Sequence, residues 1–178
     1  MKLYVVRHGQ TTKNLLNIVH GQTESSLTEY GIQKAYELRK TIDQKKIDMV
    51  ISSPLSRAKQ TAKILIEDKL PINIDDRLIE RNWGLCEGAL INTVDRVKCF
   101  NYYLNYQDNE IEPLNKFMQR IVDFINEIKR KYPNKTILIV THGAVSRIIY
   151  YYLNGIPQDG NLARINIPNL KLIEYNLD

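Results

Sequence analysis

The chain has 178 residues, of which 43% are hydrophobic and 25% are charged. This composition is typical of a globular protein with a full hydrophobic core, and it excludes the disordered, collagen-like and disulfide-rich classes. The formal net charge of +5 suits an anionic small substrate, but no basic stripe interleaved with aromatic residues indicates a nucleic-acid partner.

Hydrophobic periodicity predicts strands and helices that alternate along the chain. We expect strands at 2–7, 48–52, within 72–79, and at 136–141, 162–167 and 170–176. We expect helices at 28–44, from 54 to about 67, at 113–131 and at 144–153, the first two with Thr28 and Ser53 as N-caps. The alternation predicts an α/β fold of three layers, α/β/α, with a mostly parallel sheet and helices on both faces.

The chain shows no linker or internal repeat, and we expect a single domain over residues 1–178 with an irregular, lid-like segment at about 81–111. Its apolar runs are shorter than the roughly 20 residues of a membrane span, so no membrane partner is expected. The N-terminus has no apolar signal-peptide core, which favours a cytoplasmic protein. The two cysteines are expected to be reduced thiols. The oligomeric state stays open.

Two apolar strands each end in a His-Gly pair, as LYVVRHG at 3–9 and LIVTHG at 138–143. Ligands bind at the carboxyl ends of strands in open α/β sheets, where helix N-termini also point their free amides. His8 and His142 therefore both lie at the edge that favours a ligand, and we expect them to share one site.

Two arginines are expected beside these histidines. Arg7 precedes His8, and Arg57 lies at the start of the helix that follows the strand 48–52. Planar guanidinium groups bind the oxygens of a phosphoryl group and compensate its charge. The sequence therefore predicts a phosphate pocket with histidine as a candidate nucleophile, because neutral imidazole is nucleophilic near pH 7.

The chain resembles the histidine phosphatase superfamily, also called the phosphoglycerate mutase-like family, over nearly its whole length. The similar segments are RHGQTTKN at 7–14, LTEYGIQKA at 27–35, SSPLSRAKQTA at 52–62, LIERNWGLCEG at 78–88, EPLNKFMQR at 112–120 and VTHG at 140–143. The resemblance implies a phosphoglycerate mutase-like fold and hydrolysis of a small-molecule phosphomonoester through a phosphohistidine intermediate.

Carried over residue by residue, the resemblance implies that His8 is the nucleophile and that Glu80 donates a proton to the leaving group. The other residues implied to hold the phosphoryl group are Arg7, Asn14, Arg57 and His142. Further substrate contacts are expected from His20, Gly21, Arg81 and Gly143, with Arg81 matching an arginine that touches substrate carboxylate in mutases of the family.

His20 departs from the family pattern, in which phosphatases usually have glutamine and mutases a small hydroxyl residue. It either titrates near neutrality at the rim of the site or is a surface side chain. Tyr102, Tyr103 and Tyr106 either line a substrate lid or belong to a core or surface face.

A phosphatase is favoured over a mutase because the span between Glu80 and His142 is shorter than in mutases of the family. Glu87-Gly88 also looks phosphatase-like, whereas ERNWG at 80–84 resembles a mutase segment. A non-catalytic phosphate-binding module on the same fold is a third reading. The histidines lack HxH and HxxxH spacing, and no nucleotide-binding loop is present, so neither a metal nor a cofactor is expected.

Overall fold

The computed structural model describes residues 1–177, which form a five-stranded sheet. The strands are β1 Lys2–Arg7, β2 Met49–Ser52, β3 Ile72–Ile74, β4 Thr136–Thr141 and β5 Leu172–Asn176. Their order is β3-β2-β4-β1-β5, and every neighbouring pair is parallel except β1 with β5. The predicted mostly parallel sheet is therefore confirmed.

Helices connect the parallel strands. They are α1 Thr12–Leu15, α2 Glu29–Ile42, α3 Ser56–Ile66, α4 Arg96–Cys99, α5 Leu114–Lys131 and α6 Gly143–Asn154. The segment expected to be irregular consists of α4 and short 3₁₀ turns joined by loops. None of the helices in residues 1–177 combines the length and the apolar character that crossing a membrane requires.

Side chains alternate between two hydrophobic layers because successive residues of a strand point to opposite faces. On β1, Leu3 and Val5 pack in the layer that contains α5 and α6, while Tyr4 and Val6 pack in the layer that contains α3. The residues of β4 alternate in the same way, so both central strands are buried on both faces. The predicted α/β/α arrangement is confirmed.

The start of α2 packs very closely against the loop that follows β1. A Cβ atom on Gly31 would lie 2.3 Å from the carbonyl oxygen of Gln10, a backbone atom that cannot move aside easily. Thr28 caps the helix, as predicted, by accepting a hydrogen bond from the amide of Gly31 at 3.0 Å. Glycine at this position therefore lets α2 support the backbone immediately after His8.

The strand predicted at 162–167 is wrong. Residues Leu162–Arg164 form a 3₁₀ turn capped by the Asn161 side chain, and the following residues are irregular. The carbonyl oxygens of Ile165 and Ile167 accept hydrogen bonds from arginine side chains instead of from a neighbouring strand. The sheet edge beside β1 is occupied by β5.

The predicted start of α3 is also wrong. Its N-cap is Leu55, and the hydroxyl of Ser53 contacts His142 instead of capping the helix. The carboxylate of Glu24, from a distant loop, accepts hydrogen bonds from the amide and hydroxyl of Ser56. A long-range cap of this kind has no signature in the local sequence.

Candidate active site

A cavity of about 140 Å³ opens at the carboxyl ends of β1 and β4. Seven of the residues expected at the site line it: Arg7, His8, Asn14, His20, Gly21, Glu80 and Gly143. Arg57 and His142 are almost fully buried against His8, with the rings of His8 and His142 centred 5.1 Å apart. The structure thus brings both histidines and both arginines of the predicted pocket together.

The hydrogen bonds of His8 determine which ring nitrogen carries the proton. Nδ1 lies 2.7 Å from the carbonyl oxygen of Gly9, which can only accept, so Nδ1 is the donor. Nε2 then holds a lone pair and accepts a hydrogen bond from Nε of Arg57 at 3.3 Å. Burial, together with the charges of Arg7 and Arg57, keeps the pKa of His8 well below its ordinary value. The ring is therefore neutral, with its lone pair on Nε2.

Arg57 is held by backbone carbonyl groups. Its Nη2 donates to the carbonyl oxygen of Gly21 at 2.6 Å, and its Nη1 donates to that of Thr23 at 3.0 Å. Burial lowers the pKa of Arg57, although nearby carboxylates, Glu80 first among them, oppose this shift. Because neutral carbonyl groups fix the guanidinium, much of its charge is left to act on a bound anion.

Two buried nitrogen atoms at the site have no hydrogen-bond partner within residues 1–177, namely Nε of Arg7 and Nδ1 of His142. Arg7 donates from Nη1 to the carbonyl oxygen of Ile167 at 2.7 Å, which fixes its orientation. A Cβ atom on Gly143 would lie 3.3 Å from this guanidinium, so glycine keeps the approach open. Buried polar atoms normally have partners, and these two mark a place that an anion can fill.

Glu80 lies across the cavity between two segments of backbone. Its Oε1 accepts a hydrogen bond from the amide of Arg81 at 3.0 Å, and its Oε2 accepts one from the amide of Ala144 at 3.2 Å. Ala144 belongs to the first turn of α6, the helix that begins directly after His142. The carboxyl group is thereby held beside the loop that carries the second histidine.

His20 fits neither of its two expected descriptions. It is a buried residue of the cavity wall, and its ring centre lies 6.1 Å from that of His8. Burial and then the charge of Arg57 lower the pKa of His20 to about 4, so it does not titrate near neutrality. Its Nδ1 donates to the carbonyl oxygen of Ile18 at 3.2 Å.

The structure does not bring Arg81 to the cavity. Its guanidinium is fully buried, and the nearest acceptors are the carbonyl oxygens of Glu112 at 2.9 Å and Cys99 at 2.6 Å. The side chain also stacks on Trp83 and Phe100. Arg81 therefore ties together the irregular segment between β3 and α5, and its side chain is not part of the cavity wall. The three tyrosines at 102, 103 and 106 do not line the cavity either.

The carboxylate of Glu87, which the sequence analysis did not assign to the site, organises the loop at 21–23 that binds Arg57. Oε1 of Glu87 accepts hydrogen bonds from the amides of Gln22 at 2.9 Å and Trp83 at 3.2 Å, and Oε2 accepts one from the amide of Thr23 at 2.9 Å. A Cβ atom on Gly21 would lie 2.1 Å from the same carboxylate. Glu87 thus fixes the loop whose carbonyl groups hold Arg57.

Two further arginines of the cavity wall, Arg96 and Arg147, were not predicted. Arg147 lies in the first turns of α6 after His142, as Arg57 lies in the first turn of α3, and this shared placement was an available signal. Arg96 belongs to the irregular segment, where no pattern indicates which side chains face the cavity.

Comparison with known proteins gives a consistent result. A model of the histidine phosphatase superfamily, branch 1, matches residues 3–178. The uncharacterized phosphatase PhoE of Bacillus subtilis is 34% identical over 155 residues, which cover 85% of this chain and 76% of the relative. Phosphoserine phosphatase 1 of Hydrogenobacter thermophilus is 28% identical over 163 residues, which cover 88% and 77%. The solved structure of Bacillus stearothermophilus YhfR has a TM-score of 0.87 at 28% identity, covering 99% of this chain and 91% of that one.

The buried histidines predict a loss of stability in mild acid. His8, His20 and His142 have lowered pKa values when folded and the ordinary value of about 6.5 when unfolded, so the unfolded state binds more protons below pH 6.5. Their contribution is complete above pH 6.5 and is lost as the pH falls toward the folded pKa, about 4 for His20. We expect the free energy of unfolding to drop by about 1–2 kcal/mol per histidine between pH 7 and pH 5.

Denaturant titrations at pH 7, 6 and 5 measure this loss. In His20→Gln, the drop in the free energy of unfolding between pH 7 and pH 5 is expected to be smaller by the contribution of one histidine, about 1–2 kcal/mol. An equal loss in the wild type and in His20→Gln would contradict the assignment of His20 as buried and neutral.

Glu87→Gln is expected to loosen the loop that holds Arg57. The amide group offers a single acceptor oxygen where the carboxylate of Glu87 accepts from three backbone amides, so at least one of these amides loses its partner. The free energy of unfolding should fall by about 1–3 kcal/mol. Calorimetric titration with inorganic phosphate should also show weaker binding than in the wild type.

The matched control is Glu110→Gln, since Glu110 is exposed and its carboxylate makes no hydrogen bond within residues 1–177. Unchanged phosphate affinity in Glu87→Gln would show that the loop does not depend on this carboxylate.

Proposed function

The chain belongs to the histidine phosphatase superfamily, and we propose that it hydrolyses small phosphomonoesters by transferring the phosphoryl group to His8 and then to water. The observation that carries this proposal is the neutral His8 ring in the cavity wall, with its lone pair on Nε2 beside Arg57. The unpartnered Nε of Arg7 adds a contact for a phosphoryl oxygen, and Nδ1 of His142 adds a second one in the tautomer in which the Ser53 hydroxyl donates to Nε2 of His142. Phosphatases among the relatives support the same reaction class.

In the first half-reaction, Nε2 of His8 attacks phosphorus and forms an N–P bond while the P–O bond to the leaving group breaks. The proton carried by the carboxyl group of Glu80 passes to the departing alkoxide oxygen. Arg7 and Arg57 compensate the charge on the phosphoryl oxygens, which is the largest contribution that positioned donors make to such a transfer, and the neutral His142 lies beside them. The alcohol leaves, and the phosphoryl group stays on His8.

In the second half-reaction, the carboxylate of Glu80 accepts a proton from a water molecule. The water oxygen attacks phosphorus, the N–P bond breaks, and Nε2 of His8 recovers its lone pair. Inorganic phosphate is released, and both Glu80 and His8 return to their starting protonation states. The position of Glu80, held by the amides of Arg81 and Ala144, supports its use in both directions.

A panel of phosphomonoesters tests the proposal and separates it from the mutase alternative. We expect wild-type protein to release inorganic phosphate without added 2,3-bisphosphoglycerate, and His8→Ala to reduce the rate to background. Rapid quenching should trap a phosphorylated form that is labile in acid and stable in base, with the label on His8. Isomerisation of a phosphoglycerate that depends on the bisphosphate would replace hydrolysis by mutase activity.

Glu80→Gln separates proton donation from phosphate binding. A glutamine cannot protonate an alkoxide, so kcat/KM for alkyl phosphates, which reports the first half-reaction alone, should fall by about 100-fold or more. The kcat/KM for p-nitrophenyl phosphate, whose leaving group needs no proton, should fall by less than about 10-fold. The ratio of the two kcat/KM values in the variant and in the wild type is the measurement. Equal losses of kcat/KM on both substrates would remove the proton-donor role from Glu80.

A further inference from the structure

The cavity contains more positive charge than one phosphoryl group requires. Besides Arg7 and the adjacent Arg57, its wall includes Arg96 and Arg147, and Glu80 is the only carboxylate among the wall residues within residues 1–177. A phosphoryl group carries about two negative charges, which Arg7 and Arg57 can match. Within residues 1–177, Glu80 is then the one carboxylate in the wall that faces the charges of Arg96 and Arg147, so at least one positive charge stays uncompensated.

Arg147 is a buried cation held in place by neutral groups. Its side chain is 4% exposed, and both Nε and Nη2 donate to the carbonyl oxygen of Ile165, at 3.1 and 2.9 Å. Its guanidinium lies 4.4 Å from the centre of the Phe100 ring. Arg147 forms no ion pair within residues 1–177. Burying a charge without an ion pair is costly, so a bound anion would stabilise this arrangement.

Arg96 adds a second unpaired cation to the same wall. It is half-buried at the start of α4, and its guanidinium makes neither an ion pair nor a hydrogen bond within residues 1–177. Burial is the main cause that lowers the pKa of Arg7 and of Arg147, and repulsion by the charge of Arg96 lowers both further. A second anion bound here would relieve that repulsion.

We infer that the substrate carries a second anionic group, a carboxylate or a second phosphate, and that Arg96 and Arg147 bind it while its phosphoryl group lies at His8. The inference rests on the proposed function for the reactive part of the cavity. A guanidinium fork matches the paired oxygens of either anion. Arg7, His8, Arg96 and Arg147 line one cavity, so both anionic groups can belong to one small molecule.

Phosphonates test the inference without turnover, because their C–P bond is not hydrolysed. The probes are propylphosphonate, with one anionic group, 3-phosphonopropionate, with a carboxylate added, and propane-1,3-bisphosphonate, with a second phosphonate. We expect wild-type protein to bind at least one doubly anionic probe about 10-fold or more tighter than propylphosphonate, as one charge-assisted interaction implies. The doubly anionic probe that binds more tightly shows whether the second anionic group is a carboxylate or a phosphate.

Arg96→Gln is expected to weaken binding of the preferred doubly anionic probe by about 10-fold more than it weakens binding of propylphosphonate, and so to remove most of this preference. Arg147→Lys keeps the charge but loses the planar fork, and it should also reduce the preference. The matched control is Arg130→Gln, which removes an exposed arginine at the end of α5 and should leave all three affinities as they are.

Equal affinity of wild-type protein for all three probes would overturn the inference, as would an equal loss for all three in Arg96→Gln. Failure of the proposed function has a different signature, since no phosphomonoester, p-nitrophenyl phosphate included, would then release phosphate. The binding measurements remain decisive in that case because they do not require hydrolysis.

Discussion

The parallel pairing of β1 with β4, which sets Arg7 opposite Thr141, is the constraint on which the site depends. His8 and His142 each follow the last residue of one of these strands, so the register places the two rings side by side. Both strands are buried on both faces. A shift of their register by one residue would place every side chain of the shifted strand in the wrong hydrophobic layer. The hydrophobic core therefore fixes the distance between the histidines.

The arginines at this edge of the sheet are all held in the same way. Arg7, Arg57 and Arg147 are all held by backbone carbonyl groups, and no carboxylate of residues 1–177 binds any of them directly. A carbonyl dipole orients a guanidinium and offsets part of its desolvation cost without cancelling its charge. Segments that lack regular structure supply these carbonyl groups, because the carbonyl groups of strands and helices are already paired. The irregular residues around Thr23 and Ile167 are thus part of the binding site.

The elements that the sequence predicted well are those with a local signal. Continuous β-branched runs identified β1 and β4, and the His-Gly pairs that end them identified the core of the site. The prediction of a strand at 162–167 was wrong because the side chains alternate as in a strand, while the carbonyl groups accept hydrogen bonds from Arg7 and Arg147. Such long-range hydrogen bonds depend on the assembled fold and leave no local pattern.

Arg81 and Arg96 show the same limit within the site. Family resemblance suggested substrate contact for Arg81, yet three-dimensional packing places it against Trp83 and Phe100 and not in the cavity wall. Arg96, in a segment without periodicity, faces the cavity instead. For an arginine in an irregular segment, the path of the loop decides between a structural and a binding role, and that path follows from contacts distant in sequence.

Burial and positive charge act together on the reactivity of His8. The cations that attract a phosphoryl group also disfavour the imidazolium form, so the same residues that bind the substrate keep Nε2 unprotonated. No separate base is then required to activate the ring. As an N–P bond forms on Nε2, positive charge develops on the imidazole, and the hydrogen bond from Nδ1 to the carbonyl oxygen of Gly9 becomes stronger. The loop conformation at Gly9, supported by the close approach of Gly31 to Gln10, therefore stabilises the intermediate as well as the fold.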